Sequence, residues 1–266
     1  MSSESQKPKK SLGQHWLNDS KTLEYIVDEA KISTIDTVLE IGPGTGNLTK
    51  ILVKSAKKVV AVEFDAVLAE QLAERVGASN LEIVSQDILK FDLNSLTVNY
   101  KVVANIPYYL TSNLIRILSE SANPPLSVVL LIQKEVAQRI AAIPGKMSLM
   151  SVSAQFYWHV GLGDIVPAKF FTPPPKVDSQ VITLDRRTEP LFPETDEKQF
   201  FRLVKAGFAS RRKTLLNSLA GGLRTEKETI AKALDSVQIS PGLRAQALSL
   251  ENWHTICQSF TKLKII

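Results

Sequence analysis

Thr37-Val38-Leu39-Glu40-Ile41-Gly42-Pro43-Gly44-Thr45-Gly46 runs from a short apolar stretch directly into three glycines, and its reading decides the fold. Residues 37–41 have the length and character of a buried strand. The glycines permit a tight turn and let a ligand approach the backbone, and the pattern beyond, from about residue 47 to 55, predicts a helix. A glycine turn alone also arises as plain structure, but here the context adds to it. Residues 58–62 predict a second strand, and the acid Glu63 stands at its end, 21 residues past Gly42. An acid so placed commonly hydrogen-bonds both hydroxyls of a ribose, so a nucleoside cofactor is expected.

The same alternation extends outward. Apolar residues at Leu23, Ile26, Val27 and Ala30 predict a helix over 21–30. Downstream, 66–76 reads as a helix, 81–84 as a strand, 100–104 as a strand, 112–118 as a helix, 128–132 as a strand and 134–142 as a helix. Short buried strands alternating with helices imply right-handed crossovers and a mostly parallel sheet with helices on both faces. The pattern then changes. A helix over 148–157 precedes strands at 159–166 and 177–184 around Pro173-Pro174-Pro175, an antiparallel edge to the sheet. Residues 189–194, with two prolines, read as a linker, and helices follow at 197–209, 211–219, 227–237 and 250–263. The expected organisation is a flexible basic arm (1–10), an α/β domain (11–188) and a small all-helical C-terminal domain (195–266).

The charge is unevenly spread over the 266 residues. Residues 1–185 carry 18 Lys/Arg against 19 Asp/Glu, whereas 186–266 carry 14 against 8. A basic last third suggests a polyanionic partner, although a merely soluble basic domain has the same composition. No apolar run reaches the ~18 residues of a membrane-spanning helix. The polar start lacks the apolar core of a secretory signal, and Cys257 is the single cysteine, so neither a disulfide nor a cysteine-rich metal site is expected. A cytoplasmic location is the default expectation.

Three features narrow the cofactor. The glycine spacing is not the dinucleotide one, and no Lys-Ser/Thr pair follows as a phosphate loop requires. The strand ends also gather carboxylates: Glu40 after the first, Glu63 and Asp65 after the second, Asp87 just past the third. Such a ring repels a pyrophosphate. It suits S-adenosylmethionine, which carries an ammonium and a sulfonium.

Asn105-Ile106-Pro107-Tyr108 closes the fourth of these strands. An adenine amine is a poor nucleophile because its lone pair is delocalised into the ring. An Asn side-chain oxygen and a backbone carbonyl beside Pro107 can accept its two N–H bonds and favour a pyramidal nitrogen, while Tyr108 stacks on an unstacked base. Direct transfer needs no metal and no covalent enzyme intermediate, and proximity supplies most of the acceleration. An Asn-Pro turn beside a half-buried Tyr is the bland alternative.

The chain resembles the ribosomal RNA adenine dimethyltransferase family, in particular its bacterial small-subunit branch associated with kasugamycin sensitivity. The matching stretches are 11–19, 40–46, 105–108, 133–136, 171–179 and 208–219, which span most of the chain. The resemblance implies a Rossmann-like methyltransferase sheet and roles for matched positions. His15 and Leu17 would lie against the cofactor; Gly42, with Gly44 in the same turn, would sit under its methionine part. Glu63 would hold the ribose and Asp87 the adenine of S-adenosylmethionine. Asn105 would contact cofactor and target base, and Phe171 would offer the target a second aromatic face beside Tyr108. Trp16 departs from the phenylalanine usual in the family, a change in packing. Read on their own, 14–17 are a loop and Phe171 a core aromatic.

The implied reaction is dimethylation of two adjacent adenosines in the 3′-terminal hairpin loop of 16S rRNA, within an immature small ribosomal subunit, by a monomer. Arg211, Arg212 and Lys213 are expected to open a helix, with Lys205 and Arg202 on the preceding one, and to contact phosphates. That placement opposes the helix dipole, which argues for an external anion. Lys7, Lys9 and Lys10 fit either a phosphate contact or a solubilising tail. His159, His254 and Cys257 read as packing residues. Competing readings are a large-subunit rRNA or DNA adenine methyltransferase, and a non-catalytic assembly or transcription factor on the same fold.

Overall fold

The computed structural model describes Pro8, Lys9 and residues 12–266; most of the N-terminal arm, with Lys7, Lys10 and Ser11, lies outside the described residues. The described chain divides into two compact units. The first contains β1 (Trp16–Leu17), α1 (Ser20–Glu29), β2 (Thr37–Ile41), α2 (Thr49–Ser55), β3 (Lys58–Glu63), α3 (Ala66–Val76), β4 (Leu81–Ser85), β5 (Lys101–Asn105), α4 (Thr111–Glu120), β6 (Ser127–Gln133) and the start of α5 (Lys134–Ile140). After α6 (Leu149–Tyr157), the chain returns to it with β7 (Trp158–Val166), β8 (Phe171–Thr172) and β9 (Ser179–Arg186).

Seven strands form one sheet in the order β4-β3-β2-β5-β6-β9-β7. The pairs β3/β4, β2/β3, β2/β5 and β5/β6 are parallel, and β9 runs antiparallel to β6. Successive side chains of a strand point to opposite faces, yet Val38 and Leu39 are both fully buried, so helices cover both faces. Strand order reverses between β2 and β5, whose carboxyl ends align at Ile41 and Ala104. An open α/β sheet places its ligand crevice at such a point.

The helices start where short polar side chains cap them. Asp19 accepts the Thr22 N–H of α1, and Asp65 accepts the Val67 N–H of α3, whose end is closed by the left-handed Gly77. Asp65 is thus spent on its own helix. Its other oxygen pairs with Lys9 Nζ at 2.7 Å, and it does not join the ring of carboxylates expected from the sequence.

The second unit holds residues 138–158 and 187–266. Its helices are α6, α7 (Glu197–Phe208), α8 (Leu215–Leu223), α9 (Lys227–Ser236) and α10 (Leu250–Lys262), around Phe156, Phe200, Leu219, Leu234, Trp253 and Phe260. The expected boundary near residue 188 thus leaves out α6, whose Phe156 and Val152 pack into the helical core. The helix expected over 211–219 also differs. Thr214 is the N-cap, its hydroxyl accepting from Asn217, so α8 begins at Leu215. Arg211, Arg212 and Lys213 therefore lie in the turn before the helix, exposed, and the dipole argument for them falls. His254 stacks on Phe192 at 4.1 Å and shares a hydrogen bond with Thr195, and Cys257 is buried, but His159 is exposed rather than packed.

Gly207 tests how tightly the helical core is filled. An added Cβ would stand 2.3 Å from the fully buried Trp253 ring. Gly207→Ala should gain about 1 kcal/mol of helix propensity and lose about 2–3 kcal/mol to overpacking, a net destabilisation of about 1–2 kcal/mol read by chemical denaturation. A variant as stable as the parent would mean that Trp253 can swing aside.

Candidate active site

The turn after β2 and the ends of β3, β5 and the segment beyond β4 enclose one cavity of about 220 Å³. Every cofactor and catalytic position expected from the sequence lines it: His15, Leu17, Gly42, Gly44, Glu63, Asp87, Asn105, Pro107, Tyr108 and Phe171. The first two and the last arrive by a device that the hydrophobic pattern does not show. Trp16 and Leu17 pair antiparallel with Thr172 and Phe171 in a two-residue ribbon, and the His15 ring bonds through Nδ1 to the Pro173 carbonyl at 2.7 Å. Phe171 is only 3 % exposed, so it is at once a core aromatic and a wall of the cavity.

Backbone geometry shapes the floor. Gly42 has φ +66°, a left-handed conformation, and an added Cβ there would meet nothing within 4 Å, so the space above it is open to a ligand. Gly44 also has φ +58°, and the Trp16 ring lies 3.3 Å from where its Cβ would be. The Glu63 carboxylate accepts the Gly44 N–H at 3.0 Å and the Asp65 N–H at 2.9 Å, which ties the glycine turn to the end of β3. Burial pushes its pKa up, against those backbone hydrogen bonds. Asp87 caps the short turn Ile88–Lys90 through Leu89 N–H.

Glu40 is the group that sequence reading placed among the carboxylates without giving it a part. It is 1 % exposed and lines the cavity, and neither carboxyl oxygen has a hydrogen-bond partner among the described residues. Desolvation, opposed by the neighbouring Thr49 hydroxyl and reinforced by the nearby Glu63 charge, raises its pKa to about 8. An uncompensated buried carboxyl is costly and is stabilised by a cation. The signal was present in the sequence as an acid one position before the strand end, but only the structure shows that it lacks a partner. Phe64 and Tyr109, both exposed at the cavity, were also missed, since single aromatics carry no periodic signature.

On the other wall, Asn105 Nδ2 donates to the His15 carbonyl at 3.2 Å, which orients the amide so that Oδ1 remains to accept. Pro107 fixes the backbone, and its carbonyl accepts Leu110 N–H in the turn Tyr108–Leu110. The carbonyl left beside the proline is therefore that of Ile106. Tyr108 stands 6.1 Å from the His15 ring at an interplanar angle of 21°, and its hydroxyl shares a 3.0 Å hydrogen bond with Ser179. Burial and the charges of Glu135 and Asp178 raise the phenol's pKa, so it stays neutral.

A cation-stabilising cavity at a sheet switch point, faced by an Asn-Ile-Pro-Tyr clamp, is matched by a sequence model described as ribosomal RNA adenine dimethylase over residues 5–262. The chain belongs to this ribosomal RNA adenine dimethylase family. It is accordingly an S-adenosylmethionine-dependent rRNA adenine methyltransferase. Relatives named ribosomal RNA small subunit methyltransferase A are 41 % identical, one in Dehalococcoides mccartyi (strain CBDB1) covering 96 % of this chain and 89 % of its own, and one in Geobacillus thermodenitrificans (strain NG80-2) covering 96 % and 92 %. Among solved structures, a dimethyladenosine transferase from Plasmodium falciparum superposes with TM-score 0.81 at 27 % identity over 93 % of this chain and 98 % of that one. The 23S rRNA methyltransferase ErmE gives 0.76 at 27 % over 92 % and 99 %. Among the described residues no helix is long and apolar enough to cross a membrane.

The Glu40 proton makes a checkable signature. Its pKa in the folded state lies above the unfolded value of 4.5, so folding takes up a proton between these values and stability falls as pH rises from 4.5 towards 8. Glu40→Gln, neutral at every pH, should gain on the ligand-free parent over that window by up to about 1.4 kcal/mol per pH unit. Denaturant titrations at pH 5 to 8 measure it; parallel stability profiles would show that Glu40 is ionised in the fold.

Proposed function

We propose that this family member dimethylates the exocyclic amines of two adjacent adenosines in the 3′-terminal hairpin loop of 16S rRNA, acting as a cytoplasmic monomer on an immature small subunit. The closest support for the small-subunit choice is the name carried by the 41 % identical relatives. The observation that carries the chemistry is the Asn105 amide, held by the His15 carbonyl with Oδ1 left as an acceptor.

The residues around the cavity fit S-adenosylmethionine. The unpartnered Glu40 oxygens call for a positive group, Gly42 leaves room for a backbone-hugging chain, and Glu63 and Asp87 offer acceptors to hydroxyls and an amino group. When bound, that molecule supplies an electrophilic methyl on a sulfonium. Asn105 Oδ1 and the Ile106 carbonyl accept the two N–H bonds of the target amine and turn its lone pair out of conjugation. Tyr108, and Phe171 opposite, hold the flipped base by its faces. With its lone pair so turned, the amine would take the methyl that the bound donor supplies, and the surplus N–H proton would leave for solvent. Positioning is the main contribution.

Arg211, Arg212, Lys213 and, one helix earlier, Lys205 are proposed to contact RNA phosphates. Their support is exposure and charge: all four are exposed, and 210–225 contains no acidic residue. Exposed cations of this type add salt-sensitive affinity and little sequence reading, so discrimination rests on the single-stranded loop.

Purified protein with radiolabelled donor should methylate small subunits lacking the modification, and Asn105→Ala should slow transfer by at least about 100-fold. Full activity in that variant would remove the clamp mechanism. Arg211→Glu with Arg212→Glu should weaken subunit binding and flatten its salt dependence, with donor binding intact by calorimetry. Unchanged binding would move the RNA surface elsewhere.

A further inference from the structure

Ser179 is a fully buried polar residue that the mechanism above does not use. Its hydroxyl lies 3.0 Å from that of Tyr108, across 71 residues of sequence. The two partners differ in how firmly they are held. Ser179 opens β9, a strand flanked on both sides by β6 and β7, and is paired with Gln133 at the end of β6. The preceding residue is fixed twice over: the Asp178 carbonyl accepts Lys134 N–H and its carboxylate accepts Ala168 N–H, each at 3.0 Å. Tyr108 instead sits at the first residue of the short turn that leads into α4, braced there by the Thr111 hydroxyl on its carbonyl.

We propose that Ser179 is a positioning residue for methyl transfer, a fixed anchor that sets the direction of the Tyr108 ring against which the target base stacks. The idea rests on the stacking role given to Tyr108 above. A phenol oxygen lies on the axis about which the ring spins, so a bond at that tip restrains the torsion that swings the ring, χ1. Phenolic hydrogen bonds prefer the ring plane, which restrains the spin as well. The neutral state of Tyr108 keeps the contact in place throughout the usual assay range. Without the anchor, part of the stacking energy goes into ordering the ring at the moment the base arrives.

Two measurements on the full chain test this. In protein isotopically labelled at tyrosine, without RNA, the χ1-dependent couplings of Tyr108 should report one rotamer in the parent and averaging in Ser179→Ala. Unchanged couplings overturn the proposal. In single-turnover methylation of unmodified subunits, Ser179→Ala should slow transfer by about three- to tenfold, the value of one hydrogen bond, with donor affinity unchanged. Tyr108→Phe should lose a similar factor, and the double variant should lose no more than Tyr108→Phe alone. Losses that multiply would mean that the serine acts through packing and not through the phenol. If the parent itself fails to methylate subunits while the couplings respond to Ser179→Ala, the substrate assignment is wrong and the anchor stands.

Discussion

Two parallel strands, β2 and β5, lie side by side in register, Ile41 opposite Ala104, and the chain leaves them for opposite halves of the sheet. No crossover helix covers the carboxyl ends at such a divergence, because each connection departs to its own side. The gap is the cavity. The glycine turn after β2 forms its floor, and Asn105-Ile106-Pro107-Tyr108 after β5 forms the facing wall. The proposed donor pocket and acceptor clamp are therefore neighbours by topology, before any side chain is chosen.

Onto that frame the sequence adds an electrostatic imbalance. Glu40 and Glu63 lie near the carboxyl ends of adjacent strands and are both buried, but they are compensated differently. Glu63 is held by two backbone N–H groups and acts as a strut for the turn, whereas Glu40 has no such partners and holds a proton instead. A fold selected for stability alone would place an apolar residue at Glu40. A buried acid whose ionisation a cation would favour couples occupancy of the cavity to a change in its own charge.

Most of the sheet was legible because parallel strands buried on both faces read as short apolar runs and their helices as a 3.6-residue period; α3 and β2 fall where the pattern puts them. The glycine turn, Glu63 and Asn105 were legible because their positions follow from strand ends. Three things were not. Trp16–Leu17 and Phe171–Thr172 are too short for periodicity, and their pairing depends on a distant partner. The basic 211–213 segment read as the opening of the helix whose apolar residues begin at Leu215, and the deciding vote belongs to the hydroxyl of Thr214. Asp65 read as a site acid by its position, yet a neighbouring helix start claims it. Local competition for backbone N–H groups is invisible in a residue pattern.

The ribbon between β1 and β8 has a consequence for synthesis. His15 meets the Pro173 carbonyl across 158 residues of chain, and its own carbonyl in turn orients Asn105. On a translating ribosome β2, β3 and β5 emerge long before that partner does. The cavity is thus completed late, when only β9 of the sheet unit is still to come, and a nascent chain stopped short of residue 173 has its glycine turn and Asn105–Tyr108 but lacks the strap that aligns the amide. The enzyme cannot act on ribosomal RNA until the catalytic unit has almost wholly left the ribosome that makes it.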